Sequence, residues 1–191
     1  MSQRKWSSVD LGREFPTPVG AYSPVVRAGD LLYVSGQVPT DPATGKVAEA
    51  PVERVMDFDP FFLEEPVPAE NMDAMAEVQR STSIPIATGE GLQSHYPYRE
   101  LLEKQAARIL QPDAARVGGI TPMKKIAAIA ETYYVNVAPH NPNGPICTAA
   151  SLHVVTSIAN FSILEQGNTD TTMYKDIFPG LKEQDYNSVD G

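Results

Sequence analysis

The sequence predicts an α/β fold: a partial TIM-type (β/α) barrel of five parallel β/α units, preceded by a short β-hairpin segment. Three observations lead there. From about Asp59 to Glu165, short apolar runs alternate with helix-forming segments, the pattern of a parallel sheet with crossover helices. Each of the five runs ends at an acidic residue or a histidine, namely Glu64, Glu90, Asp113, His140 and Glu165. A (β/α) barrel collects functional side chains at the C-terminal ends of its strands in this way. Lastly, the chain has 191 residues, whereas a closed eight-stranded barrel needs about 250. Five units are therefore expected, and not eight.

Residues 1–50 read as β and turn. VVRAGDLLYVSGQV holds two apolar runs around Ala28-Gly29-Asp30, a hairpin signal. DPATGK, from Asp41 to Lys46, is a further turn, with proline early and glycine late. The change of pattern falls within residues 46–57, and residues 58–191 form the second predicted domain. There PFFLEE is the first strand. Residues 68–81 follow as a helix with Met72, Met75, Ala76 and Val78 apolar. IPIAT is a strand, YRELLEKQAA a helix and RILQP a strand. TPMKKIAAIAETY is a helix, with Thr121 as N-cap and Pro122 at its first position. YVNVAP is a strand, CTAASLHVVTSIA a helix and FSILE the fifth strand. Gln166 onward receives no element.

Composition narrows the function classes. Net charge is −9 and pI about 4.8, which argues against a nucleic-acid partner. Cys147 is the only cysteine, so neither an intrachain disulfide nor a thiolate metal cage is expected. No run approaches the roughly 18 apolar residues of a membrane span, and the N-terminus lacks the apolar core of a signal peptide. A cytoplasmic setting is expected.

The five strand-end residues suggest a chemistry. Two converging carboxylates repel unless a cation lies between them, and hard oxygen ligands suit Mg²⁺. Such a cation polarises a substrate carboxylate and stabilises the enediolate formed when the α-proton leaves. His140 is the candidate base. Asp113 can fix its tautomer, and Glu165, if kept protonated, can donate to the developing oxyanion. Each residue also has a plainer reading, as a solvated loop carboxylate, a structural histidine or a turn cap. Glu65 points away from Glu64 on a strand and reads as a partner for a lysine or arginine. His95 lies in a loop, and His153, mid-helix, reads as core-facing or interfacial. Cys147 reads as a small helix-start residue, and Lys124-Lys125 as a solvated face. Gly118-Gly119 suits either an anion cradle or a tight strand-to-helix turn.

FFLEEPVPAENM, IPIATGE, ILQPDAARVGGIT, VAPHNPNGP and NFSILE resemble the C-terminal barrel of the enolase superfamily over about residues 59–165. The branch is that of mandelate racemase and galactonate dehydratase. Intervals of 26, 23, 27 and 25 residues separate the five positions. The resemblance implies Glu64 and Glu90 as Mg²⁺ ligands, Asp113 and His140 as a base dyad, and Glu165 as the electrophilic acid. The implied reaction is dehydration of a small-molecule sugar acid. The family's third carboxylate ligand is absent, since 26 residues before Glu64 stands Val38, with Asp41 nearby in a turn. Impaired activity is therefore expected, as is self-association along the open sheet edge.

Residues 10–47 are similar instead to the opening of the Rid (L-PSP) imine deaminases, on FPTPVGAYSP and the SGQ turn at Ser35-Gly36-Gln37. That resemblance places Tyr22 near a substrate pocket, with the remaining pocket residues of that family missing. An imine deaminase and a non-catalytic chimeric or truncated product are the two alternative readings.

Overall fold

The computed structural model describes residues 6–8, 25–28, 31–34, 56 and 59–166. The chain divides into two compact units, Met1–Arg54 and Val55–Gly191. In the first, β1 (Trp6–Ser8), β2 (Val25–Ala28) and β3 (Leu31–Val34) form an antiparallel sheet in the order β1-β2-β3. The expected hairpin is β2–β3, paired from Val25↔Val34 to Ala28↔Leu31. β1 carries no alternation that would have announced it. Tyr22, Val38 and Asp41 lie outside the described residues.

The second unit alternates strand and helix. β4 (Leu63–Glu64), α1 (Met72–Ser81), β5 (Ile86–Thr88), α2 (Tyr96–Glu103) and β6 (Ile109–Leu110) come first. Then follow α3 (Ala114–Val117), α4 (Ile120–Thr132), β7 (Asn136–Val137) and α5 (Pro145–Val155). The four strands pair in parallel in the order β4-β5-β6-β7. The fifth expected strand joins through one parallel bridge, Val137↔Phe161, flanked by Ser162 N–H donating to Val137 O at 2.9 Å.

Side-chain alternation along the strands builds two apolar layers. Leu63, Ile86, Leu110 and Val137 pack with Met75, Tyr98, Leu101, Met123, Ile126 and Val154 from the helices. On the opposite face Ala87, Ile109 and Ala138 form a second cluster, with Phe62 and Ile163 packed against it. This is the layering of a barrel interior.

Local signals explain the helix ends. The Asn71 side chain accepts from Ala74 N–H at 3.3 Å and starts α1. α4 begins one residue before Thr121, with Gly119 as N-cap and no side-chain cap bond. Gly118 and Gly119 both have φ of +99° and form the turn from α3 into α4, a helix-to-helix junction that only glycine adopts freely.

Candidate active site

Two residues beyond the inner apolar layer, the same face turns polar on four of the five strands, while on β5 Ala87 is followed by Gly89 and then Glu90. Phe62 is followed by Glu64, Ile109 by Gln111 and Asp113, Ala138 by His140, and Ile163 by Glu165. The strand period of two therefore brings these side chains to one end of the sheet.

His140 is the centre of the group. Its Nδ1 lies 2.9 Å from Asp113 Oδ2, its Nε2 is 3.0 Å from Glu90 Oε2, and Glu165 Oε2 is 3.9 Å from that same Nε2. Glu165 Oε2 also accepts from Asn141 N–H at 2.9 Å. Glu64 accepts from Gln111 Nε2 at 2.7 Å, and its carboxylate feels the charges of Glu165, Glu90 and His140. All five positions singled out in the sequence thus fall within one interacting cluster.

Asp113 is 1% exposed. Burial alone would push its carboxyl up. Hydrogen bonds from Asn143 (2.8 Å), His140 and the Ala115 N–H (2.7 Å) outweigh that and hold it below the ordinary value. The charged form is therefore favoured, and it holds Nδ1 as the protonated ring nitrogen. Glu64 and Glu90 shift the other way. Burial raises both; the charges of Glu165 and Glu90 add to the rise of Glu64, and those of Glu65 and Glu165 to that of Glu90, while the Gln111 bond on Glu64 and the His140 charge on Glu90 oppose it.

Some features were not legible beforehand. Gln111 and Asn143 are polar partners of the cluster that no motif had marked, although Gln111 shares the strand face of Asp113. Among the described residues Glu65 pairs with neither lysine nor arginine. It accepts from Thr88 Oγ1 (2.9 Å) and Gly89 N–H (3.2 Å), with its own φ at +38°. Cys147 is more than a spacer, since its Sγ lies 3.8 Å from Asp113 Oδ1 and 3.6 Å from Asn143 Nδ2. Burial raises that thiol's pKa. A cleft of about 450 Å³ is lined by Cys147, Ala114, Ala115, Pro145 and Ile146, among others, and by none of the five cluster residues. His153 is exposed and outside the core. His95 precedes α2 and stacks on Tyr96, with ring centroids 4.2 Å apart. Lys124 Nζ donates to Ser157 O and Oγ at 3.2 and 3.1 Å, so it is tied to the end of α5.

Glu64 and Glu90 suit a hard divalent cation in charge and donor type. They fall short in number. Among the described residues, no group of three or more His, Cys, Asp or Glu is arranged to hold a metal. Among those same residues, no helix is long and apolar enough to cross a membrane.

Residues 13–57 match the family model described as Endoribonuclease L-PSP, and residues 44–187 match Enolase C-terminal domain-like. The two spans overlap at residues 44–57. The chain is 41% identical over 134 residues to the D-xylonate dehydratase of Haloferax volcanii, covering 70% of this chain and 32% of that protein. It is 42% identical over 120 residues to the D-galactonate dehydratase of Ralstonia pickettii, covering 63% and 31%. The chain thus spans about a third of the length of these curated relatives. Among solved structures, a mandelate racemase/muconate lactonizing enzyme-like protein from Rubrobacter xylanophilus matches with TM-score 0.60 and 43% identity, over 64% of this chain and 31% of that one. An enolase from Agrobacterium radiobacter, bound to Na and L-malate, matches with TM-score 0.56 and 43% identity, over 58% and 28%. With a strand-end cluster of this geometry and a family match over residues 44–187, the chain belongs to the Enolase C-terminal domain-like family.

Proposed function

We propose that the chain carries part of the catalytic apparatus of a sugar-acid dehydratase, with His140 as the base that removes the proton α to a carboxylate. The observation that carries this reading is the 2.9 Å contact between His140 Nδ1 and Asp113 Oδ2, which leaves Nε2 to face the other carboxylates. A charged Asp113 keeps the Nδ1 proton in place, so Nε2 is the nitrogen left to exchange a proton with a substrate once the hydrogen it shares with Glu90 is gone. Nε2 now meets Glu90 at 3.0 Å, and that contact must open before a substrate proton can be taken.

Glu64 and Glu90 would hold Mg²⁺, which when bound supplies Lewis-acid polarisation of the substrate carboxylate. With only two such ligands among the described residues, weak binding is expected. Glu165, whose Oε2 accepts from Asn141 N–H, would donate to the developing oxyanion when protonated. In the overall reaction the C2–H bond breaks and its proton passes to His140. The C3–O bond then breaks, and the departing hydroxyl collects a proton and leaves as water, which gives a 2-keto-3-deoxy acid after tautomerisation.

The test is hydrogen–deuterium exchange at C2 of D-galactonate and D-xylonate in D₂O, with and without Mg²⁺. Slow exchange is expected from the parent chain and none from His140→Ala. Equal exchange in both removes His140 from the role. No exchange in the parent chain supports the non-catalytic reading. An imine deaminase activity would rest on the segment around Tyr22 alone, and the match to that family ends at residue 57.

A further inference from the structure

Four donors face the buried carboxylate of Asp113, and one of them has no part in the reaction proposed above. Oδ1 accepts from the Ala115 N–H at 2.7 Å and lies 3.8 Å from the Cys147 thiol. Oδ2 lies 2.9 Å from His140 Nδ1 and accepts from Asn143 Nδ2 at 2.8 Å. A carboxylate has about four lone-pair sites, so each is met. Protonating Asp113 would set its new O–H against one of these hydrogens. Arg116 does little here, because its Nε stands 4.0 Å from Oδ2 on a half-exposed side chain. Tyr98, on α2, feels the Asp113 charge but spends its hydroxyl on Gly89 O. Asn143 directly precedes Gly144, the N-cap of α5, and that helix has no side-chain cap bond. Asparagine is a favoured cap, yet this side chain is turned to Asp113 instead. Flipping its amide would set an oxygen against Oδ2, two acceptors in contact. The flip would also lose the 3.6 Å approach of Nδ2 to Cys147 Sγ.

We infer that Asn143 is a positioning residue, whose amide completes the donor set of Asp113 and thereby holds the proton on His140 Nδ1. Its part in catalysis rests on His140 as the proposed base. The two residues stand three apart on one loop, so the segment that carries the base also carries the group that keeps its partner charged. Burial pushes the Asp113 carboxyl up, and the Asn143 bond is the strongest of those that bring it down. A neutral donor serves better here than lysine or arginine. A further cation beside the imidazole would oppose uptake of a substrate proton at Nε2.

The experiment follows the Asp113 carboxyl carbon by ¹³C NMR in the full chain, in the parent and in Asn143→Leu, beside their thermal melts. Both proteins are titrated from neutral pH down to the acid limit of the fold. In the variant the midpoint should move up by about one pH unit or more, the scale of a hydrogen bond to a charged group. The downfield signal of the His140 Nδ1 proton should be lost at a correspondingly higher pH. An unmoved midpoint overturns the inference, and a lower melt beside it marks Asn143 as a merely structural tie. Neither signal needs turnover, so the two readings fail separately. Absence of C2 exchange in the parent sinks the catalytic reading alone, and a moved midpoint still supports the hold on Asp113. Should Asn143→Leu fail to fold, the ¹⁵N side-chain amide of Asn143 in the parent decides. Slow hydrogen exchange there that is lost in Asp113→Ala supports the inference. Free exchange in the parent, or protection kept in Asp113→Ala, overturns it.

Discussion

Gly89→Ala should destabilise the second unit by several kcal/mol, and the structure supplies the parts of that figure. Gly89 has φ of +126°, a region that is essentially glycine's alone and costs another residue about 1–3 kcal/mol. An added Cβ would stand 2.9 Å from Tyr98 Cε1. The ring has little room to retreat, because Tyr98 is fully buried and its hydroxyl donates to Gly89 O at 2.7 Å. Overpacking of that kind costs about 1–3 kcal/mol, so the sum is about 2–6 kcal/mol. At roughly 2–4 °C per kcal/mol for a chain of this size, the melting temperature should fall by roughly 4–24 °C. Urea denaturation should show a lower midpoint at an unchanged slope. A double-mutant cycle separates the two parts. In a Tyr98→Leu background the ring contact is gone, so Gly89→Ala should cost less there by about 1–3 kcal/mol. A Gly89→Ala protein within about 0.5 kcal/mol of the parent, or a strictly additive cycle, refutes the reasoning.

Asn71→Ala should cost about 1 kcal/mol by removing the cap on α1, measured as a small fall in the urea midpoint; no fall would mean the cap bond is not made in solution. The pH dependence has a worked sign. Glu64 and Glu90 have raised folded values, so the folded state takes up protons first and stability rises as pH falls toward 4.5. Asp113 is held down, so its contribution is present above 3.8 and is lost as pH falls through its folded value. Melting temperatures from pH 8 to pH 3 should therefore pass through a maximum on the acid side, and a steady decline from pH 8 to pH 4.5 would contradict the placement of the two glutamates.

The β/α alternation was legible because apolar runs and helix-forming segments differ in period over many residues. Strand length was not, since RILQP and YVNVAP contribute only two paired residues each once prolines and neighbouring turns take their share. FSILE is reduced to one bridge because, among the described residues, it has a partner on one side only. Glu64, Glu90, Asp113, His140 and Glu165 could be found by their place at strand ends. Glu65, Gln111 and Asn143 could not, because their partners are 23, 47 and 30 residues distant in the chain and are chosen by the fold. Thr121 misled because a Thr-Pro pair commonly opens a helix, whereas the glycine turn at 118–119 lets α4 begin earlier.

The two oxygens of Asp113 have separate employers. Oδ1 anchors the start of a helix through Ala115, and Oδ2 steers a histidine. An asparagine there could keep the first duty with its carbonyl, but it would turn an N–H toward the imidazole. The ring would then have to receive at Nδ1 and carry its hydrogen on Nε2, becoming a donor where the proposed chemistry wants an acceptor. Scaffold and reactivity are thus soldered at a single side chain, and no isosteric exchange at that position can preserve both.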